Sequence, residues 1–164
     1  MRIERSKVLE LSDVRNQKIL DIGAGYLAVI AARDFNCRVT SIDISQSVLR
    51  DENERIIREG LEDKINLIEM DASNLSFDDD EFSVIISYGA LHHNPPEKRR
   101  KILEEIKRVC RNKISIMEFK KEYHPHPEDV HEAIDHDWLE TVLNSFGETD
   151  KYIGEEKILY ICRL

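Results

Sequence analysis

No stretch of this chain approaches the roughly 20 consecutive apolar residues that a helix needs to cross a bilayer. Its first residues, MRIERSKVLELSD, carry charge where a secretion signal carries an apolar core. The expectation is a cytoplasmic protein with no membrane partner. Positive charge is also in short supply: 24 Lys and Arg against 33 Asp and Glu leave a net charge of −9. Gripping nucleic acid takes clustered cations facing phosphates, so no nucleic-acid partner is expected. The one basic cluster, Lys98-Arg99-Arg100-Lys101, opens a segment with Ile102, Leu103, Ile106 and Val109 in helical register, and reads as a solvated helix face. Cysteine is sparse. Cys37, Cys110 and Cys162 are odd in number and far apart, which fits reduced thiols and supplies no metal or redox motif. No repeat, low-complexity tract or linker divides the 164 residues, a length that suits one domain over 1–164.

What is present is an alternation. After an N-terminal arm (1–17), strand-like runs fall at 18–21, 38–42, 65–70, 82–87 and 114–118. Helical periodicity fills 27–35, 46–59, 97–110 and 138–146, with Ser45 as an N-cap and Gly60 and Gly147 as stops. A polar loop occupies 71–80, and a closing hairpin pairs 148–153 with 157–163. This order predicts an α/β fold: a Rossmann-like, open, mostly parallel seven-stranded sheet with an antiparallel C-terminal edge strand and helices on both faces. Ligands of such sheets bind beyond the carboxyl ends of the strands, at the switch point. The loops after Asp21, Asp43, Met70, Ser87 and Glu118 are therefore expected around one crevice.

At the centre lies KILDIGAGYL, residues 18–27: a short strand, an acid (Asp21), and the turn Gly23-Ala24-Gly25 running into a helix. Glycines let the backbone turn tightly and clear room for a ligand, and the helix start presents unpaired N–H groups. The stretch fits the permissive dinucleotide pattern, with Asp43 at the distance of a ribose-binding acid. Asp21, however, would sit against the phosphates with no cation nearby to compensate. An anion there suits a ligand bearing positive charge, such as an α-ammonium or a sulfonium.

ILDIGAG, SIDIS, MDASNLSFDDDEFSVII and ISYGALHHNPPEKRRKILEEIKRV occur in that order. Together they resemble the class I S-adenosylmethionine-dependent methyltransferases, in the small-molecule branch that includes ubiquinone and menaquinone biosynthesis enzymes. The resemblance implies S-adenosylmethionine as cofactor. Asp21, Gly23 and Gly25 would cradle its methionine part, with Ala24 and Tyr26 in the same turn. Asp43 would accept the ribose hydroxyls beside Ile44, Asp71 and the backbone of Ala72 would read the adenine, and Ser87 would lie by the methionine carboxylate. A carboxylate can accept two charge-assisted hydrogen bonds from a vicinal diol.

The chain departs from that pattern in places. Leu27 replaces the third glycine, Ser76 a proline, and Arg111-Asn112-Lys113 a glycine turn. The N-terminal arm is shorter than the family's usual cover, so the acceptor pocket is expected to be open, or completed by a second copy or a partner chain.

The implied reaction is methyl transfer to a small, uncharged or cationic acceptor. A catalytically degenerate binding or regulatory relative is the alternative, and a nicotinamide-dependent oxidoreductase a weaker one. If the acceptor must lose a proton, His92 is the first candidate base, then His93. Asn94-Pro95-Pro96 lacks the aromatic and the position of the NPPY of amino-group DNA methyltransferases. His124, His126, His131 and His136 crowd the segment 120–136 among Glu128, Asp129, Glu132 and Asp135. Their spacing completes no zinc-type site, so a polar, pH-sensitive lid without metal is the reading, although a divalent ion held by His131 and Asp135 or by His124 and His126 is conceivable.

Overall fold

The computed structural model describes residues 1–125 and 133–164. The strands are β1 (Lys18–Ile22), β2 (Arg38–Asp43), β3 (Ile65–Glu69), β4 (Phe82–Tyr88), β5 (Cys110–Phe119), β6 (Glu148–Ile153) and β7 (Lys157–Arg163). The α-helices are α1 (Arg5–Leu11), α2 (Tyr26–Phe35), α3 (Gln46–Glu59), α4 (Pro96–Val109) and α5 (His136–Phe146). The strands form one sheet in the order β3-β2-β1-β4-β5-β7-β6. The first five strands are mutually parallel, and β7 runs against both β5 and β6.

Both faces of the sheet are covered, which is why β1 and β4 read as continuous apolar runs rather than alternating ones. Successive side chains still leave a strand on opposite sides. Ile19, Val39, Val84 and Ile86 pack with Val8 and Leu9 of α1 and with Leu27, Ala28 and Ala31 of α2. Leu20, Ile22, Ile42, Ile85 and Ile114 pack instead with Ile102, Leu103 and Ile106 of α4 and Leu139, Val142 and Leu143 of α5. Helix α3 starts where the Ser45 hydroxyl accepts the Val48 N–H at 3.3 Å and stops at Gly60, whose φ of +66° is left-handed.

Three local features differ from the sequence reading. The N-terminal arm contains a helix, α1, with Val8 and Leu9 fully buried. Residues 111–113 belong to β5, which begins at Cys110 opposite Phe82 and passes through an irregularity in its register. Arg99 is not on a solvated face: it is 5% exposed and turns back to donate to the carbonyls of Asn94 (3.0 Å) and His92 (3.3 Å). Among the described residues, no helix is long and apolar enough to cross a membrane.

Strand order reverses direction between β1 and β4. The carboxyl ends of β1, β2, β3 and β4 open there onto a cavity of about 720 Å³.

Candidate functional site

Strand β1 carries Asp21 to the cavity wall while keeping it 1% exposed. Its Oδ2 accepts the Ser41 hydroxyl at 2.8 Å, and its Oδ1 is buried with no partner among the described residues. Burial pushes this carboxyl up to about 8, since an apolar surround disfavours the charged form. The Ser41 hydrogen bond and the charge of Arg5 pull the other way, while the negative charges of Glu52 and Asp43 add to the rise. Glu52, on α3, is 2% exposed; one oxygen takes Arg55 at 2.8 Å and the other is buried without a partner among the described residues. Burial raises its pKa as well.

The turn after β1 needs glycine at its first position. Gly23 has a φ of +88°, and a Cβ built there would stand 2.7 Å from that of Ala90, whereas one on Gly25 would meet nothing within 4 Å. Gly23 donates its N–H to the Ile42 carbonyl at 2.9 Å, tying the turn to β2. Asp43, at the end of β2, completes the tie. Its Oδ2 accepts the Ala24 N–H at 3.1 Å and its Oδ1 the Ser45 N–H at 2.8 Å. Each oxygen keeps a lone pair for a ligand.

Beyond β3, Asp71 accepts the N–H and hydroxyl of Ser73 at 2.8 and 2.7 Å. Those bonds hold its pKa below the usual carboxylate value, assisted by Lys98, whose Nζ lies 3.6 Å from the other oxygen.

Of the residues singled out in the sequence, Asp21, Gly23, Ala24, Gly25, Asp43, Ile44, Asp71 and Ala72 line this one cavity. Tyr26, Ser87 and His92 do not. Tyr26 points toward α3, its hydroxyl accepting Arg33 at 3.3 Å and its ring facing Arg55. Ser87 is 2% exposed, with its hydroxyl buried and unpartnered among the described residues.

His92 is buried behind the wall that His93 lines. Its Nδ1 lies 2.8 Å from Glu118 Oε2, and Glu118 Oε1 accepts the Leu91 N–H at 2.8 Å. The rings of His92 and His93 are 4.1 Å apart, and that of His124 lies 4.9 Å from His92.

Leu27, 2% exposed, packs into the core beneath the turn and forms part of the cavity wall without filling the cavity. Arg5, which nothing in the sequence pattern picks out, lines the cavity from α1.

His126 and His131, with Glu128, Asp129 and Glu132, lie outside the described residues. Asp135 caps α5 by accepting the N–H groups of Asp137 and Trp138, and His136 bonds the Phe119 carbonyl and the Tyr160 hydroxyl. No group of three or more candidate metal ligands occurs among the described residues.

Residues 19–113 match the family model described as a methyltransferase domain. The chain belongs to that family.

The methyltransferase domain is 35% identical over 103 residues to the glycine/sarcosine/dimethylglycine N-methyltransferase of Actinopolyspora halophila, covering 61% of this chain and 18% of that protein. It is 29% identical over 111 residues to the demethylmenaquinone methyltransferase of Bacteroides fragilis, covering 65% and 44%. The chain thus spans less than half the length of these curated relatives. Its fold matches a SAM-dependent methyltransferase of Aquifex aeolicus with a TM-score of 0.77 at 19% identity, over 98% of this chain and 89% of that one.

Proposed function

We propose that this methyltransferase domain binds S-adenosylmethionine in the cavity at the β1/β4 switch and transfers its methyl group to a small-molecule acceptor. The observation that carries the reading is the convergence of Asp21, Asp43 and Asp71 on one hollow, with a buried, unpartnered Asp21 oxygen at its edge. That donor set fits the cofactor: an anion for positive charge, a carboxylate for a diol, and a glycine-cleared backbone for close approach. It fits a dinucleotide poorly, because Asp21 stands beside the turn against which a pyrophosphate would lie. Leu27, packed into the core, and α1, which lines one side of the cavity, support a cleft able to take the cofactor.

In this reading Asp43 holds the ribose hydroxyls, Asp71 and the backbone of Ala72 read the adenine, and Ile44, 68% exposed at the cavity rim, covers an apolar face of the ligand. Asp21 and the turn through Gly25 hold the methionine end. The cofactor supplies an already activated methyl group on sulfur. The protein contributes alignment and exclusion of water. His93 is the imidazole at the wall. His92, held through Nδ1 by Glu118, packs its ring against that of His93 from behind the wall. The acidic surface favours an acceptor without negative net charge, and buried, unpaired cysteines suit a cytoplasmic setting.

Calorimetry tests the reading. S-adenosylmethionine is expected to bind wild-type protein with micromolar affinity, Asp43→Ala to abolish that binding, and NADH to give no heat. Silence from the wild type, or undiminished binding by Asp43→Ala, contradicts it.

A further inference from the structure

The three acids on the cavity wall are not held alike. Asp21 lies within β1, and Asp43 ends β2 with both carboxylate oxygens on backbone N–H groups of the turns beside it. The sheet fixes both. Asp71 lies past the end of β3, on the loop 70–81 that leads to β4. The Met70 N–H reaches the Asp43 carbonyl at 3.1 Å, and there the sheet's hold on the loop ends. Asp71 folds the next residues into a turn, taking the N–H and hydroxyl of Ser73 on its carboxylate and the Asn74 N–H on its carbonyl. Those bonds shape the turn without fastening it. Lys98, with its side chain 51% exposed, stands 3.6 Å from the other Asp71 oxygen, a surface pair that fixes little.

The fastening comes from further along α4. Glu105, 7% exposed, accepts the Leu75 N–H at 2.8 Å through Oε2. Arg108 forks onto the same carboxylate, Nε to Oε1 and Nη2 to Oε2, each at 3.0 Å. Nη2 also donates to the Leu75 carbonyl, and Nη1 to the Phe77 carbonyl and to Asp79, all at 2.9 Å. Every N–H of the guanidinium is thereby used. The Arg108 carbonyl in turn accepts the Asp80 N–H at 3.0 Å. The bonds from Arg108 and Leu75 hold the Glu105 carboxyl below its ordinary pKa. Leu75, 4% exposed, packs with Ile102 and Ile106 of the same helix. It is thus pinned by its N–H, its carbonyl and its side chain, directly after the turn that carries Asp71. Neither Glu105 nor Arg108 lines the cavity, and methyl transfer itself has no use for either.

We infer that Glu105 and Arg108 are positioning residues for the base of the cofactor: by clamping the loop at Leu75 they hold Asp71 and the backbone of Ala72 where the adenine is read. The inference rests on the cofactor reading above and adds to it a determinant outside the cavity. The clamp acts on one end of the ligand only, since Asp43 and the glycine turn have their own ties to the sheet. Its loss erodes recognition of the base and spares the grip on the ribose.

The test is a pair of ligands that differ at the base. S-adenosylhomocysteine and S-inosylhomocysteine, in which a 6-oxo group replaces the 6-amino group, are titrated into wild type, Arg108→Ala, Arg108→Lys and Glu105→Gln by calorimetry. The quantity read is the ratio of the two dissociation constants, and thermal unfolding of the free proteins checks that each variant is folded. The inosine ligand turns a carbonyl toward the Asp71 carboxylate, so wild type is expected to favour adenine about ten- to a hundredfold. In Arg108→Ala that preference should shrink to about threefold or less, through weaker adenine binding, with the inosine ligand changed by less than about twofold. Arg108→Lys and Glu105→Gln each keep part of the clamp and should fall between, because a single ammonium or a neutral amide replaces only part of the fork. They carry the test if the alanine variant does not fold.

A preference that survives in every folded variant overturns the inference. So does an equal loss of affinity for both ligands, which is what a purely structural role would give. A wild type that binds neither ligand, or binds both alike, overturns instead the cofactor reading on which the inference rests.

Discussion

Asp21 is the residue on which electrostatics and function meet. Its carboxyl titrates near 8 in the folded chain, against about 4 in an unfolded one. The folded state therefore holds a proton that the unfolded state has lost across that interval. Stability associated with this group is fully present below pH 4 and declines as pH rises through 8. Asp21→Asn, which mimics the protonated acid, is expected to flatten this decline. In urea titrations it should match the wild type below pH 4 and exceed it increasingly toward pH 8; a parallel decline in both proteins would contradict the assignment. The same carboxyl must ionise to face a cation, so wild-type affinity for S-adenosylmethionine should rise between pH 6 and pH 8, while that of Asp21→Asn should not.

Among the elements, α1 changes the picture most. A seven-residue helix shows barely two turns of periodicity, and its N-cap, Glu4, makes no side-chain capping bond, so RSKVLEL carries little signal of its own. Tertiary contact creates it: Leu9 is fully buried against α2 and the sheet. Leu9→Ala is expected to cost about 2–4 kcal/mol in urea unfolding, as for other buried leucines, whereas a loose arm would lose almost nothing.

Helix α3, by contrast, was legible from both ends, because Ser45 and Gly60 do locally what their chemistry suggests. Helix α4 was legible in its apolar stripe but not in Arg99, whose inward turn depends on the carbonyls of the 92–94 turn. The polar triplet 111–113 looked like a break, yet the pairing of Cys110 with Phe82 keeps it in β5.

At the scale of the whole molecule, parallel order and the gathering of strand ends follow from apolar runs alternating with helical ones, and all of that is written in sequence. Which side of a loop a side chain takes is not. The pair His92-His93 is adjacent in the chain, but Glu118, 26 residues later, draws His92 inward and leaves His93 at the wall. Ser87 and Tyr26 likewise flank the turn without reaching the cavity. Arg5 was invisible because its place depends on ties from α1 to β4, β5 and β7.

The most direct measurement is a crystal structure of the chain with S-adenosylhomocysteine. The account predicts ligand density in the cavity between β1 and β4, with the ribose hydroxyls on Asp43 and the adenine beside Asp71 and Ala72. Density elsewhere on the chain, or a ribose turned away from Asp43, would contradict it.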